Sequence, residues 1–519
     1  MGEFKFNLLD EPWIHCIDKD GNQIPPIGLK DLFEKADSLL QVTDQNPLTE
    51  FSIVRILLAI VHRALEGPKN LAEWSDIYTP GKFDIRVTDY LEKFRHRFNL
   101  FSTDYPFYQT PGLYCCEKGD IDKPSAGMPV ASIVYGKASG NNKTAFDHTT
   151  DDKETRISPA EAARALATAQ MFSLRGLCRK TTNHFGYLPS FNQAAMTRGV
   201  HIVLRGKDLF ETLMLNLLVY DKDKPIPRER DSKTLESLDR PVWEENDPRD
   251  KGVDVPPKGY LDYLTCKCRH ILIVPEKEKG TVFVRRIHMA QGKMFQNIEN
   301  PVAVRKKSKD NSYYHPNLDL ERMLWRDSQS LFAFDKEDLR PMILRNMEGI
   351  MKATRRNGER AIPLQRKFLC MAYGIAYENN NPLSWRKEEI NVPAELLSGG
   401  LSSYLVNAME LVSKGEATLR SGIGSFIKNY GERGRDLKPG LEKEIYRYYW
   451  DRMEGHFHKL LSNMADQKDG NFLEQWKADI VATAREALRK TLENRYRNSY
   501  KAWVAALGKL NLGLQQINP

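Results

Sequence analysis

Between residues 473 and 507, apolar side chains return at mostly three- or four-residue steps: Leu473, Trp476, Ile480, Ala484, Leu488, Leu492, Tyr500, Val504 and Leu507. That is the period of one face of an α-helix, and a stripe of that length must be buried against something. Three segments before it carry the same kind of pattern: PAELLSGGLSSYLVNAMELV, the stretch EATLRSGIGSFIKNY, and LEKEIYRYYWDRMEGHFHKLLSNM. Four such helices bury their stripes most simply by packing antiparallel, so a four-helix bundle is expected over residues 389–519. A bundle of this kind suits an interaction scaffold better than a catalyst.

Residues 1–388 have another texture. GVHIVLRG, RHILIVPE and GTVFVRRIHM alternate and are rich in β-branched residues, as strands are. NPLTEFSIVRILLAIVHRAL reads as a helix with Phe51, Val54, Leu58, Val61 and Leu65 on one face and Asn46 and Pro47 at its start. SPAEAARALATAQMF reads as another, with Ser158 as cap and Glu161 at the capping-box spacing. The charged, proline-rich residues 221–258 predict a long surface excursion. The expected fold class is α+β: a large mixed α/β N-terminal domain, residues 1–388, followed by the helical bundle.

Catalytic chemistry is hard to find. The sequence holds no GxxxxGK[ST] phosphate loop, HExxH or GxSxG elbow. Seven cysteines, at positions 16, 115, 116, 178, 266, 268 and 370, are too sparse and irregular for a disulfide framework and are expected as reduced thiols. Cys266 and Cys268 form a CxC in an alternating segment, which would put both on one face of a strand. A zinc site there would need two more ligands, and only the distant Cys115 and Cys116 offer them, so buried strand thiols are expected instead. His456 and His458 stand two apart on a helix and do not share a face. No catalytic residue, metal or cofactor is therefore assigned. No apolar run reaches about 18 residues, and MGEFKFNLLDEPW lacks the basic head of a signal peptide. A cytoplasmic protein with no membrane partner is expected.

The net charge, 77 − 69 = +8, matters only because it is clustered. Residues 343–368 hold Arg345, Lys352, Arg355, Arg356, Arg360, Arg366 and Lys367 against Glu348 and Glu359, and Arg305, Lys306, Lys307 and Lys309 form a second group. Cations interleaved with amides suit a phosphate backbone, although the same pattern also fits a solvated face. A third stretch, SGNNKTAFDH at residues 139–148, is too polar for a core strand and yet displays a Phe.

FNLLDEPWI, GNNKTAFDHTTDDKETRISPAEAARALATAQ, RGVHIVLRGKDLFETLMLNLL, DRPVWE, GYLDYLT and LWRD occur in that order, within a match running from residue 6 to about residue 386. Together they resemble the CasA family, the large subunits of type I-E CRISPR Cascade complexes. The resemblance implies a subunit that binds crRNA and a double-stranded DNA target and is not itself an enzyme. It would sit among backbone, handle-binding and small Cascade subunits, read the PAM, help open the duplex and recruit a helicase-nuclease effector.

It also implies sites. SGNNKTAFDH aligns with the loop that reaches the guide RNA handle, where Phe146 would stack on a splayed base and Asn141, Asn142, Asp147 and His148 would hydrogen-bond. The family's glycine-rich loop against the PAM minor groove falls at SLRGLCRK, where only Gly176 survives, flanked by Arg175, Arg179 and Lys180. The wedge that parts the first base pair aligns with YENNNPLSW, placing Asn379 at the wedge with Asn380 beside it. A cation from the preceding hairpin region is Arg285, Arg286 or Lys293. Arg355, Arg356 and Arg360, just before the wedge, would hold DNA backbone. Two rivals stand beside this reading: an autonomous nuclease, which lacks a visible metal-carboxylate cluster, and a structural assembly subunit with no DNA contact.

Overall fold

The computed structural model describes residues 4–117, 120–134, 155–221, 224–247, 249, 252–296, 298–332, 339–431, 434–466, 471–495 and 499–517. The fold is α+β. The chain forms two compact units: Met1–Leu318 with Pro341–Ile362 and Met371–Glu388, and Asp319–Arg340 with Pro363–Cys370 and Glu389–Pro519. Two segments expected in the N-terminal domain, 319–340 and 363–370, thus belong to the helical unit.

The first unit opens with a three-stranded antiparallel sheet in which β1 (Ile14–Asp18) lies between β2 (Gln23–Ile27) and β3 (Leu39–Val42). Helix α1 (Pro47–Leu65) follows, its first turn capped by the Asn46 side chain, which accepts from Leu48 N at 2.9 Å. Its burial goes further than the expected single face: every residue from Leu48 to His62 is buried. A helix enclosed on all sides must satisfy its polar residues inside. Ser52 Oγ donates to Leu48 O at 2.7 Å and Arg55 Nη2 to Tyr263 O at 2.8 Å.

Helix α2 (Pro159–Phe172) carries the complete capping box, with Ser158 and Glu161 bonded reciprocally. A hairpin of β4 (Gly176–Thr182) and β5 (Gly186–Phe191) comes next, then β6 (His201–Arg205). Strands β7 (Arg269–Glu278) and β8 (Thr281–Gln291) pair antiparallel with Ile273 opposite Ile287, and the short segments β9 (Lys306–Lys307) and β10 (Tyr313–Tyr314) pair beyond them. Strands β11 (Lys367–Glu378) and β12 (Asn381–Pro393) make a long hairpin that joins β6 in a three-stranded sheet of order β12-β11-β6. Phe51 of α1 ties these layers together. Its ring lies 5.8 Å from Phe172 of α2, 5.1 Å from His201 of β6 and 5.6 Å from Tyr373 of β11.

Two expectations need correction here. Cys266 and Cys268 precede β7 rather than lying in it, because the helix Tyr260–Leu264 ends just before them and pairing begins only at Arg269. Both are buried free thiols, and burial pushes the Cys268 thiol up to about 11. Within residues 221–258, the described residues 229–236 run along the surface as expected, but the stretch is anchored at residues 241–244. Trp243 packs 5.5 Å from Phe107 and 5.7 Å from Phe98, and Glu244 accepts from Arg63 Nε at 2.9 Å and from the Tyr90 hydroxyl at 2.7 Å.

The second unit is built on four long helices, α3 (Ser402–Tyr430), α4 (Gly434–Asp466), α5 (Phe472–Arg495) and α6 (Tyr500–Leu514). Their number matches the expectation, but the partition differs. The latter part of the first expected segment and the whole of the second fuse into α3, because Gly415 and Gly422 serve close packing instead of breaking the helix. A Cβ at Gly415 would meet the Tyr449 hydroxyl and Ile480, and one at Gly422 would meet Ala506 O. The final stripe splits into α5 and α6. Trp476, Ile480, Ala484, Leu488 and Leu492 are buried as expected, but after the break the buried face is re-phased to Ala502, Ala506, Leu510 and Leu514, leaving Tyr500 and Val504 exposed.

Candidate nucleic-acid interface

The β11–β12 hairpin turns on two residues, Asn379 at φ 49° and Asn380 at φ 63°. Two consecutive left-handed residues between antiparallel strands make the tight hairpin turn whose twist matches that of the strands, and Asn adopts that conformation at low cost. Asn379, Asn380 and Asn381 are all exposed, and Leu383, two residues along β12 from Asn381, is 54% exposed. The result is a narrow ribbon ending in amides, with an apolar side chain behind them.

The residues expected in a glycine loop lie on a hairpin. Gly176 is the first residue of β4, and a Cβ built on it meets nothing within 4 Å. Pairing slips between Leu177 and Lys180, and Arg179 sits in the slip at φ 50°. Such a bulge re-aims side chains, and here it leaves Arg179 exposed beside exposed Arg175 and half-buried Lys180. Sequence reasoning missed two neighbours, Leu177 at 70% and Tyr187 at 63% exposure. Apolar side chains shown to solvent among cations are what an insertion into a nucleic-acid groove requires. Nothing in the sequence distinguishes them from core residues, since the hairpin lacks clean alternation.

The three candidate cations of the preceding region are used within the fold. Arg285 forks onto Glu276 across the β7–β8 pair. Arg286 is half-buried on β8, opposite Val274 and Pro129. Lys293 is buried, its ammonium 3.0 Å from Asp262 and 3.9 Å from Glu245. A buried ammonium needs such partners, so Lys293 is held inside, short of any duplex.

The basic stretch in residues 343–368 separates in space. Arg345 donates through Nη2 to Glu299 Oε1, and Lys352 pairs with Glu348 at 2.8 Å. Arg355, Arg356 and Arg360 ride on a tight projecting loop closed by the Thr354–Arg360 bridge and turned at Gly358, φ 83°. All three are exposed. Arg356 Nη2 lies 3.0 Å from Asp76 Oδ2, and this hydrogen bond holds the Asp76 carboxyl below the usual carboxylate range. Arg360 Nη1 donates to Met351 O at 2.8 Å. In the other unit, Arg366 covers the Phe368 ring at 4.9 Å and Lys367 donates to Ser462 Oγ at 3.1 Å. On the β9–β10 hairpin, Lys307 and Lys309 are exposed while Arg305 covers Tyr313 at 4.1 Å.

Asn141, Asn142, Phe146, Asp147 and His148 lie outside the described residues. Among the described residues, no group of three or more His, Cys, Asp or Glu side chains could hold a metal ion, and no helix is long and apolar enough to cross a membrane. The surface therefore offers cations for phosphates, amides for base edges and apolar tips for a groove.

Residues 7–494 match the family model described as CRISPR-associated protein Cse1. The chain is 26% identical over 508 residues to the CRISPR-associated protein CasA/Cse1 of Thermus thermophilus, an alignment covering 94% of this chain and 92% of that one. Its fold is similar to the crystal structure of CRISPR-associated protein Cse1 from Acidimicrobium ferrooxidans, with a TM-score of 0.79 at 21% identity over 100% and 99% of the two chains. It is also similar to a chain of a CRISPR RNA-guided surveillance complex, with a TM-score of 0.74 at 19% identity over 98% and 99%.

Proposed function

Because the chain belongs to the CasA/Cse1 family, we propose that it is the large, non-enzymatic subunit of a type I-E CRISPR RNA-guided surveillance complex working in the cytoplasm. In this reading it binds the crRNA handle through residues 139–148 and docks on the backbone, handle-binding and small subunits. It recognises the PAM in double-stranded DNA, starts strand separation and recruits the helicase-nuclease effector.

The observation that carries the DNA reading is the exposed Asn379–Asn380 turn at the end of a long hairpin. A polar two-residue tip can enter beneath the PAM and replace a lost stack without specifying a base. Gly176 and Arg179, on an exposed hairpin of the same unit, suit the minor groove, which separates A·T from G·C but blurs their orientation. Such a reader tolerates several PAMs. Opening costs a few kcal/mol per step, and pairing with the guide offsets it.

The test is target-duplex binding by the reconstituted complex across a randomised PAM library. Asn379→Gly keeps the left-handed backbone while removing the amide, and Gly176→Asp places a carboxylate where space is open. Loss of PAM-dependent binding in both, with guide assembly intact, supports the reading. Unchanged binding and PAM ranking overturn it in favour of an assembly subunit that does not touch DNA.

A further inference from the structure

A cavity of about 510 Å3 opens in the first unit, lined from both ends of the β4–β5 hairpin, from residues 293–296 and 298 and from β10. Its volume falls within the ~300–1,000 Å3 of small-ligand sites. Arg175 and Arg198 bring two exposed guanidinium groups to it. Lys293 also lines it, but its ammonium is already paired with Asp262, so the two arginines are the cations available to an anion. Phe295 and Tyr314 supply aromatic surface, with Tyr314 46% exposed and Phe295 packed 5.9 Å from Tyr263 in the wall. Gln193 and Gln296 add amides that both donate and accept, and Gln193 is oriented by Arg198 Nε at 3.2 Å. Exposed Asp254 adds an acceptor.

Guanidinium groups, aromatic faces and mixed donor–acceptor edges match the three parts of a nucleotide: phosphate, flat heterocycle and base edge. We propose that this cavity is a single-nucleotide pocket, taking one unpaired nucleotide with its base on the aromatic lining and its phosphate on Arg175 and Arg198. Two sources share that chemistry: a nucleotide splayed from a DNA single strand, and a free nucleotide. The first rests on the reading of this chain as a subunit that opens DNA, since opening leaves one strand without a partner. The cavity begins at Arg175, immediately before the hairpin expected at the PAM, so a displaced strand would have a short path to it.

The purified full chain is titrated with a short single strand carrying one 2-aminopurine and, separately, with deoxyadenosine monophosphate. Tyr314→Ala removes aromatic lining and Arg198→Ala removes a cation, and melting curves confirm that both variants are folded. Quenching of the strand's 2-aminopurine, with affinity reduced about tenfold or more in each variant, supports the pocket with a strand as its source. Mononucleotide binding as tight as the strand, equally reduced in both variants, supports it with free nucleotide as the source. If neither variant changes either titration, the proposal is overturned. PAM-library binding by complexes built with the same variants keeps the two readings apart. Unchanged titrations with PAM dependence intact overturn the pocket alone, whereas reduced titrations in a chain whose wild-type complex shows no PAM dependence uphold the pocket and overturn the PAM reading.

Discussion

The Glu50 carboxylate lies 3.1 Å from the Lys387 ammonium and accepts a hydrogen bond from the Tyr373 hydroxyl at 3.2 Å. Glu50 stands in the first turn of α1, Tyr373 on β11 and Lys387 on β12. One buried acid thereby pins both strands of the hairpin that ends in Asn379 and Asn380 to the core helix. Burial pushes its carboxyl up, and Lys387 pulls it part of the way back.

Lys387→Met should cost on the order of 3 kcal/mol at pH 8, because it strands a buried carboxylate. The loss should be smaller at pH 5. Without Lys387 the folded-state pKa of Glu50 rises further above its unfolded value, so the folded state binds a proton that the unfolded state does not. Stability then falls as pH rises through that window. Adding Glu50→Gln should recover most of the loss at pH 8. Urea unfolding of the wild type and the two variants at both pH values checks this, and equal losses at pH 5 and pH 8 would count against a charged pair.

His62 and His201 are wholly buried, and burial pushes both down to about 3. The neutral forms are hydrogen-bonded: His62 Nδ1 donates to Gly67 O at 3.1 Å and His201 Nε2 to Met196 O at 2.9 Å. Only the unfolded chain takes up these protons between pH 6.5 and about 3. Their contribution is therefore full above 6.5 and lost as pH falls, by about 1.4 kcal/mol per pH unit for each His. His201→Gln should destabilise the protein at pH 7.5 and flatten its stability profile between pH 6 and 4 by one proton's slope. Equilibrium unfolding across that range measures it, and a parallel profile would place the His201 proton elsewhere.

Two glycines of α3 should respond with opposite signs. Gly415→Ala drives a methyl into the Tyr449 hydroxyl, which now donates to Val412 O at 2.9 Å, and should cost about 1–3 kcal/mol. Gly424→Ala meets nothing within 4 Å and should stabilise by roughly 0.5–1 kcal/mol through helix propensity alone. Thermal melts of the two variants decide it.

The features legible in the sequence were those set by local chemistry. Ser158 and Glu161 announce a helix start because both partners lie within one turn, and Asn379 and Asn380, placed by the family resemblance, are residues whose backbone preference suits the turn they make. Long-range packing could not be read in the same way. A glycine that breaks a lone helix is the one residue that lets α3 lie against Tyr449, and Lys293, a cation expected at the PAM, proves to be the partner of Asp262, 31 positions away. The basic stretch shows the limit most clearly. Arg345 and Arg355 are near neighbours in sequence, yet Glu299, 46 positions from Arg345, takes the first out of play while the second stays on the surface.

That separation sharpens the remaining prediction. Arg355, Arg356 and Arg360 share the loop closed at Thr354, and the Arg356–Asp76 pair lies at the surface, a kind of pairing readily exchanged for a phosphate. Replacing all three with Ala should lower target affinity of the reconstituted complex for every PAM alike. Each phosphate left without its guanidinium should flatten the slope of log affinity against log salt by about 0.9. Asp76→Asn releases Arg356 from its partner and should act in the opposite direction, raising affinity at low salt and steepening the slope. Arg345→Ala, a change to a guanidinium already committed to Glu299, should leave the slope as it is. Equilibrium binding at several salt concentrations measures all three effects. A slope unchanged by the triple substitution would return this loop to solvated surface, and a changed PAM ranking would show that it reads bases instead of holding backbone.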